Sequence, residues 1–248
     1  MIPAWLSLLD AVLAVMFVAF GIAGAHFELI PPLFGFQLFV LGMLLAALGF
    51  FVGLIGILRT RDPAFRTGRR AALIGVLIGL AIVLPTATIL VRSRDFPLLN
   101  DVTTDFADPP AFMHAGLLEE NQNRNLGYDR ARCEPLQKAA YRTIAPLATP
   151  ASPAVAFQRV KVVAARMPDW RVIYVDPQRL ALEGIAASGL FRFREDFVIE
   201  VRPGADGGSL IEMRSKSRGE ISDFGANAAQ IHAFFAMLAR QLPAPKPA

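Results

Sequence analysis

The chain is poor in the residues that usually carry chemistry. Cysteine occurs once, at Cys133, so neither an internal disulfide nor a Cys-based zinc site is open to it. The three histidines, His26, His114 and His232, show no metal-ligand or nucleophile spacing. Charge is scarce: 19% of the 248 residues are charged, against about 25% in an ordinary soluble domain. The net charge of +4 is too small to argue for a nucleic-acid partner. No glycine-rich P-loop is present, and Ser215 and Ser217 lack the sharp strand-to-helix turn of a nucleophile elbow. What abounds is apolar: 54% of residues are hydrophobic and the mean hydropathy is +0.44. That composition excludes disorder, and it exceeds what a purely soluble protein carries.

The surplus sits in residues 1–91, in three apolar runs at about 2–25, 33–58 and 71–91. A helix needs about 20 mostly apolar residues to cross a bilayer, and each run meets that length. A buried soluble helix is shorter and keeps a polar face. Ala23-Gly24-Ala25 has the small-residue character of a signal-peptide cleavage site. However, the first run has no basic n-region and exceeds the usual apolar core of about 7–15 residues, which favours a retained anchor. Orientation follows from the loops. The connection Arg59–Arg70 holds five arginines, whereas that between the first two runs holds no Lys or Arg. Basic short loops stay cytoplasmic, so the N-terminus is expected inside and residues 92–248 outside, in the periplasm at a bacterial inner membrane.

Gly35, Gly42, Gly49 and Gly56 recur every seven residues in the second run. Gly49 with Gly53, and Gly75 with Gly79, form GxxxG pairs. Small residues let membrane helices approach closely, either within one chain or against a partner subunit. Asp10 is the one carboxylate inside the runs, about 13 Å along its helix from the N-terminus. There it can reach the interface or take part in an ion path.

Residues 92–248 have the composition of an ordinary folded domain. The stretch 96–151 reads mostly as loop, with one short helix near Glu134–Tyr141. Ser152 and Pro153 open a helix that Pro168 stops, with Phe157, Val160, Ala164 and Met167 on its apolar face. Four strands follow: Trp170–Val175, Leu180–Ala187 (weakened by Gly184), Phe191–Arg202 and Ser209–Ser217. The third alternates best, with Phe191, Phe193, Phe197, Ile199 and Val201 on one face and Arg192, Arg194, Asp196, Glu200 and Arg202 on the other. The loop Pro203–Gly208 joins the last two strands. A final helix spans about Asp223–Gln241, burying Phe224, Ala228, Ile231, Phe235 and Leu238. The fold class is therefore α+β: three transmembrane helices, then a roughly four-stranded antiparallel meander flanked by helices.

The densest polar cluster is 212–223. On a strand, Glu212, Arg214, Lys216 and Arg218 point one way, beside the charged face of Phe191–Arg202. Arg194, Arg214, Lys216 and Arg218 would supply charge to an anion, while Asp223 and Asn227 organise the helix start beside it. The competing reading is a cross-strand ladder of ion pairs on a solvated face. Asp101, Thr103, Thr104 and Asp105 suit Asx and Thr turns. Asp101, Asp105 and Asp108 have oxygen ligands for a hard cation but no EF-hand spacing, so no metal site is assigned.

Arg214-Ser215-Lys216-Ser217-Arg218-Gly219 with Asp223-Phe224-Gly225-Ala226-Asn227 and Ile231 resembles the closing signature of the bacterial and plastid family catalogued as domain of unknown function 1499, DUF1499. Asn100–Asp105 with Asp108–Phe112 resembles its opening signature, and Phe191–Ile199 its central one. The likeness covers about 98–242, and the three preceding helices resemble one branch of the family. Ala181–Ala186 departs from the more polar strand usual there. The resemblance implies an envelope-facing domain and supplies no reaction and no cofactor.

These readings point to a membrane-anchored binding or assembly module whose partners are the lipid bilayer and an anionic ligand, lipid headgroup or envelope protein. Two alternatives stay open: an envelope hydrolase using Asp196, Asp223 or Asp105 as acid or base, and a structural subunit of a larger membrane complex. No catalytic residue is assigned. Cys133 is expected as a buried or reduced thiol.

Overall fold

A computed structural model describes residues 2–61, 67–204, 207–219 and 222–244, Arg92 by its backbone alone. Asp62–Arg66 of the arginine-rich connection, Ala205-Asp206 of the hairpin loop and Glu220-Ile221 of the polar cluster lie outside the described residues. The chain forms two compact units. One holds the residues up to Arg94 together with Gly189–Arg192, the other Asp95–Ser188 and the chain from Phe193 on.

The first unit contains α1 (Ile2–His26), α2 (Pro32–Arg59) and α3 (Arg69–Ser93). All three are long and apolar enough to span a bilayer. Pro32 opens α2, where its missing N–H costs nothing. The glycine stripe of α2 is used within the chain. A methyl group at Gly35 would sit 2.6 Å from Gly21 O, at Gly42 2.9 Å from Ala14 O, and at Gly49 3.1 Å from Asp10 Cβ. At Gly56 it would meet Ala4 Cα at 3.1 Å, at Gly53 Val76 at 2.6 Å, and at Gly79 Ala46 O at 2.7 Å. Gly75 faces Ser7, whose hydroxyl donates to Gly49 O at 2.7 Å. Ser7 is thus the polar point where α1, α2 and α3 meet, and small residues leave space for it.

The second unit is a six-stranded antiparallel sheet with flanking helices. Its strands are β1 (Asp101–Thr103), β2 (Leu147–Thr149), β3 (Trp170–Asp176), β4 (Ala181–Ala187), β5 (Arg194–Pro203) and β6 (Ser209–Ser217). The order is β1-β6-β5-β4-β3, with β2 also pairing β6. The meander β3–β6 matches the pattern of alternation. The three-residue strands β1 and β2 are too short to show a period, so the sequence pattern does not reveal Asp101–Thr103 as strand; the turns expected beside it form at Thr103, whose Oγ1 accepts Asp105 N–H at 3.4 Å, and at Asp105, whose Oδ1 accepts Ala107 N–H at 2.7 Å.

The helices are α4 (Arg130–Ala140), α5 (Pro153–Ala164) and α6 (Ala226–Ala239). Helix α4 starts earlier than Glu134 because Asp129 accepts Arg132 N–H and caps it. The apolar face of the sheet, with Leu182, Phe197, Ile199, Val201, Ile211 and Met213, packs with Phe157, Val160, Ile231, Phe234 and Leu238 in one core. Gly184 lies under the Phe197 ring, so a side chain there would displace it. This is why glycine interrupts an otherwise apolar strand.

Three expectations are corrected. Strand β5 begins at Arg194, so Phe191 and Phe193 precede it; Arg192 there has φ 61 and turns the chain. Helix α6 begins at Ala226 because Gly225 is left-handed (φ 84), which breaks the helical phase after Phe224. Phe224 is therefore exposed, and Phe234 rather than Phe235 is the fully buried ring of α6.

Candidate functional site

The second face of the sheet carries Glu183, Asp196, Glu200, Arg202, Glu212, Arg214 and Lys216. Register sets them side by side: Glu183 opposes Val198, Val198 opposes Arg214, Asp196 opposes Lys216, and Glu200 opposes Glu212. The expected solvated face is corrected, because Glu183, Asp196, Glu212 and Arg214 are all buried. Much of the cover is chain between β1 and α4, which is held down by the charges themselves.

Three clasps do this. First, Arg214 donates to both oxygens of Asp101, at 2.9 and 2.8 Å, and to Leu126 O at 2.8 Å. Its guanidinium lies 5.0 Å from the Phe112 ring centre and 5.3 Å from that of Tyr128. Lys216 Nζ reaches the same Asp101 oxygen at 2.8 Å. Second, Asp196 accepts from Arg218 Nε at 3.0 Å and Nη2 at 2.5 Å, from Arg124 at 2.7 Å and from Asn121 at 3.1 Å. Third, Glu183 accepts three backbone N–H groups: Met113 at 2.8 Å, His114 at 2.9 Å and Ala115 at 2.7 Å. A carboxylate that receives several N–H bonds is well compensated for burial. Here it fixes a loop that has few main-chain partners of its own.

Arg202 gathers the remaining acids. It lies 3.0 Å from Glu200, 3.1 Å from Glu212, 2.8 Å from Asp108 and 3.9 Å from Asp105. Burial pushes the Glu212 carboxyl up to about 7; Arg202 pulls it down, and Asp105, Glu200 and Asp108 add to the rise.

The sequence-derived site residues therefore divide. Arg214 and Lys216 share Asp101, so their charge is taken up inside the domain. Arg218 keeps one donor group without a hydrogen bond among the described residues: its Nη1 is buried, with a Glu120 oxygen 3.9 Å away. Arg194 lies at the same distance from the same oxygen and is more exposed. Asp223 accepts from Gly225 N–H at 2.8 Å and Asn227 N–H at 2.9 Å, and so caps α6. Burial raises its pKa although these hydrogen bonds oppose the rise. Asn227 links Ser217 Oγ (2.9 Å), Ser215 Oγ (2.5 Å) and Asn100 O (3.2 Å).

The three acids considered for hydrolysis are engaged elsewhere. Asp196 is fully buried among donors, Asp223 caps a helix, and Asp105 accepts Ala107 N–H at 2.7 Å. Among the described residues, no group of three or more His, Cys, Asp or Glu side chains is placed to hold a metal ion. Cys133 is buried, and burial followed by the Asp101 charge pushes its thiol pKa up. A shallow groove of about 410 Å³ runs past Asp105, Phe106, Arg130, Glu134 and Lys138, with Glu134 and Lys138 paired at 2.6 Å.

Sequence reasoning missed Asp101, Glu183, Asn121 and Arg124 as members of this layer. Asp101 and Arg214 are far apart in the chain, and only the β1–β6 pairing joins them. The one available signal was Glu183 itself, a lone carboxylate in an apolar strand. No curated protein and no solved structure matches this chain closely enough to count as a relative. A family model described as a protein of unknown function matches residues 101–238, which spans every clasp of the charged layer. That match covers more than half of the chain, and the chain belongs to the DUF1499 family.

Proposed function

We propose that the protein is a membrane-anchored binding module that presents its α+β unit on the non-cytoplasmic side and accepts an anionic group at Arg218. The site is the rim of the charged layer, where Arg124, Arg194 and Arg218 approach Glu120 and Asp196. The observation that carries the reading is the Nη1 of Arg218, which makes no hydrogen bond among the described residues although the side chain is only 9% exposed. A buried guanidinium donor without an acceptor is costly. Glu120 covers it loosely from 3.9 Å and is half exposed, so it can swing away. The local charge agrees, since Arg124 and Arg218 share the single buried carboxylate of Asp196. A carboxylate or phosphate oxygen replacing Glu120 would complete the pattern. The orientation rests on the arginines of the second connection and on α3 as the span between that connection and the α+β unit.

The test is thermal unfolding of the detergent-solubilised full chain in inorganic phosphate against chloride at equal ionic strength. Ligand that binds only the folded state raises the midpoint. Phosphate is expected to stabilise the protein more than chloride does, and Glu120→Gln to enlarge that difference. Phosphate also stabilises proteins in general by exclusion from their surface, so a phosphate-over-chloride difference of the same size in both proteins, or none in either, would count against the reading.

A further inference from the structure

We infer that Phe96, Leu98 and Phe224 form an apolar foot by which the α+β unit inserts into the membrane interface. Their exposures are 41%, 66% and 59%, high for large apolar side chains. They are brought together by named contacts. Ser222 Oγ donates to Pro97 O at 2.9 Å, and Asp223 N–H donates to Leu99 O at 3.1 Å. Gly225 lies against the Phe96 ring, so close that a methyl there would be 2.6 Å from Cε1. The turn that carries Phe224 is thus tied to the segment that carries Phe96 and Leu98.

The place of the foot in the chain identifies the occupant as lipid, through covalent continuity with α3. Helix α3 ends at Ser93, only three residues before Phe96. An extended residue spans at most about 3.6 Å, so Phe96 lies within roughly 11 Å of the helix end. The interfacial region is about 5–8 Å thick on each side of a bilayer, and so short a connection keeps Phe96 close to it. The backbone holds Phe224 in its outward position. Phe224 has φ 50, a conformation that bulky residues rarely adopt. Asp223 stabilises it by accepting Gly225 N–H and Asn227 N–H on either side of the turn. Such outliers persist where the surroundings impose them and often serve a function. Here the imposed backbone turns a phenyl ring outward that a continuous helix would bury. The inference rests on the membrane spans and is independent of the anion site.

The experiment uses the full chain in phosphatidylcholine–phosphatidylglycerol vesicles, with Cys133→Ala removing the native thiol. A fluorophore sensitive to polarity is attached at Phe224→Cys, and in separate proteins at Leu98→Cys and at Val155→Cys on α5. Val155 is exposed too and is not part of the foot. The expected result is blue-shifted emission at 224 and 98, with loss of fluorescence when nitroxide lipids are added, and neither at 155. Leu98→Cys keeps the test valid should Phe224→Cys disturb the turn. Equal quenching at the three positions, or none at 224 and 98, would overturn the inference.

Discussion

Asp101→Ala is expected to unfold the α+β unit under conditions where the parent chain is folded. Asp101 neutralises Arg214 and Lys216 in a buried site. Removing one partner of a buried ion pair leaves charge without compensation and costs about 3–5 kcal/mol. Domains of this size are stable by only about 5–15 kcal/mol, so the loss is a large share of the total. Denaturant titration of the full chain in detergent, followed by the signal of Trp170 in the core, reads it directly. The pair should recover much of the loss when both sides become apolar, as in Asp101→Leu with Arg214→Met, because apolar residues of similar volume remove the desolvation penalty. Recovery will be incomplete, since Lys216 still lacks its carboxylate. A single mutant as stable as the parent would show that the cover from Pro110 to Tyr128 does not depend on this clasp.

Glu212→Gln is expected to act in the opposite direction, and only above acidic pH. The Glu212 carboxyl is held at about 7 in the folded chain by burial, against an ordinary value of 4.5. Between those values the folded state keeps a proton that the unfolded state has lost. Stability therefore falls as pH rises through that window, and the full penalty persists above it. A shift of that size corresponds to about 3 kcal/mol at most. Glutamine is neutral throughout, so the variant should gain on the order of 2–3 kcal/mol over the parent at pH 8 and little at pH 4. Arg202 retains Glu200 and Asp108 in either case. Unfolding midpoints of both proteins at a series of pH values test this. Parallel curves would mean that Glu212 is not the group that titrates.

The membrane helices were legible because length and hydropathy alone decide whether a helix spans a bilayer. The meander was legible because β5 alternates over Asp196–Arg202 with Val198 as the exception, and its turns carry proline, glycine and aspartate. Local signals failed where distant chain decides the outcome. Arg214 reads as a solvated cation on a half-exposed strand, until Asp101 arrives on β1 and Phe112 and Tyr128 enclose it. Phe224 reads as buried because the period of α6 extends back over it, until Gly225 breaks that period. Asp223 and Asn227 read as organisers of a helix start, and their hydrogen bonds are of that kind. The glycines Gly35, Gly42, Gly49, Gly53, Gly56, Gly75 and Gly79 read as packing residues for a neighbour of unknown origin. The close approaches show neighbours within the same three-helix unit.

The charge-rich face of the sheet is covered, and its own charged side chains pin the cover. Hydrogen exchange at Met113, His114 and Ala115 in the full chain tests it most directly. None of these three amides belongs to a strand, and all three are held by the buried Glu183 carboxylate. Protection should approach that of β5 amides and be lost selectively at these positions in Glu183→Ala. Exchange at the rate of an unstructured loop in the parent chain would contradict it.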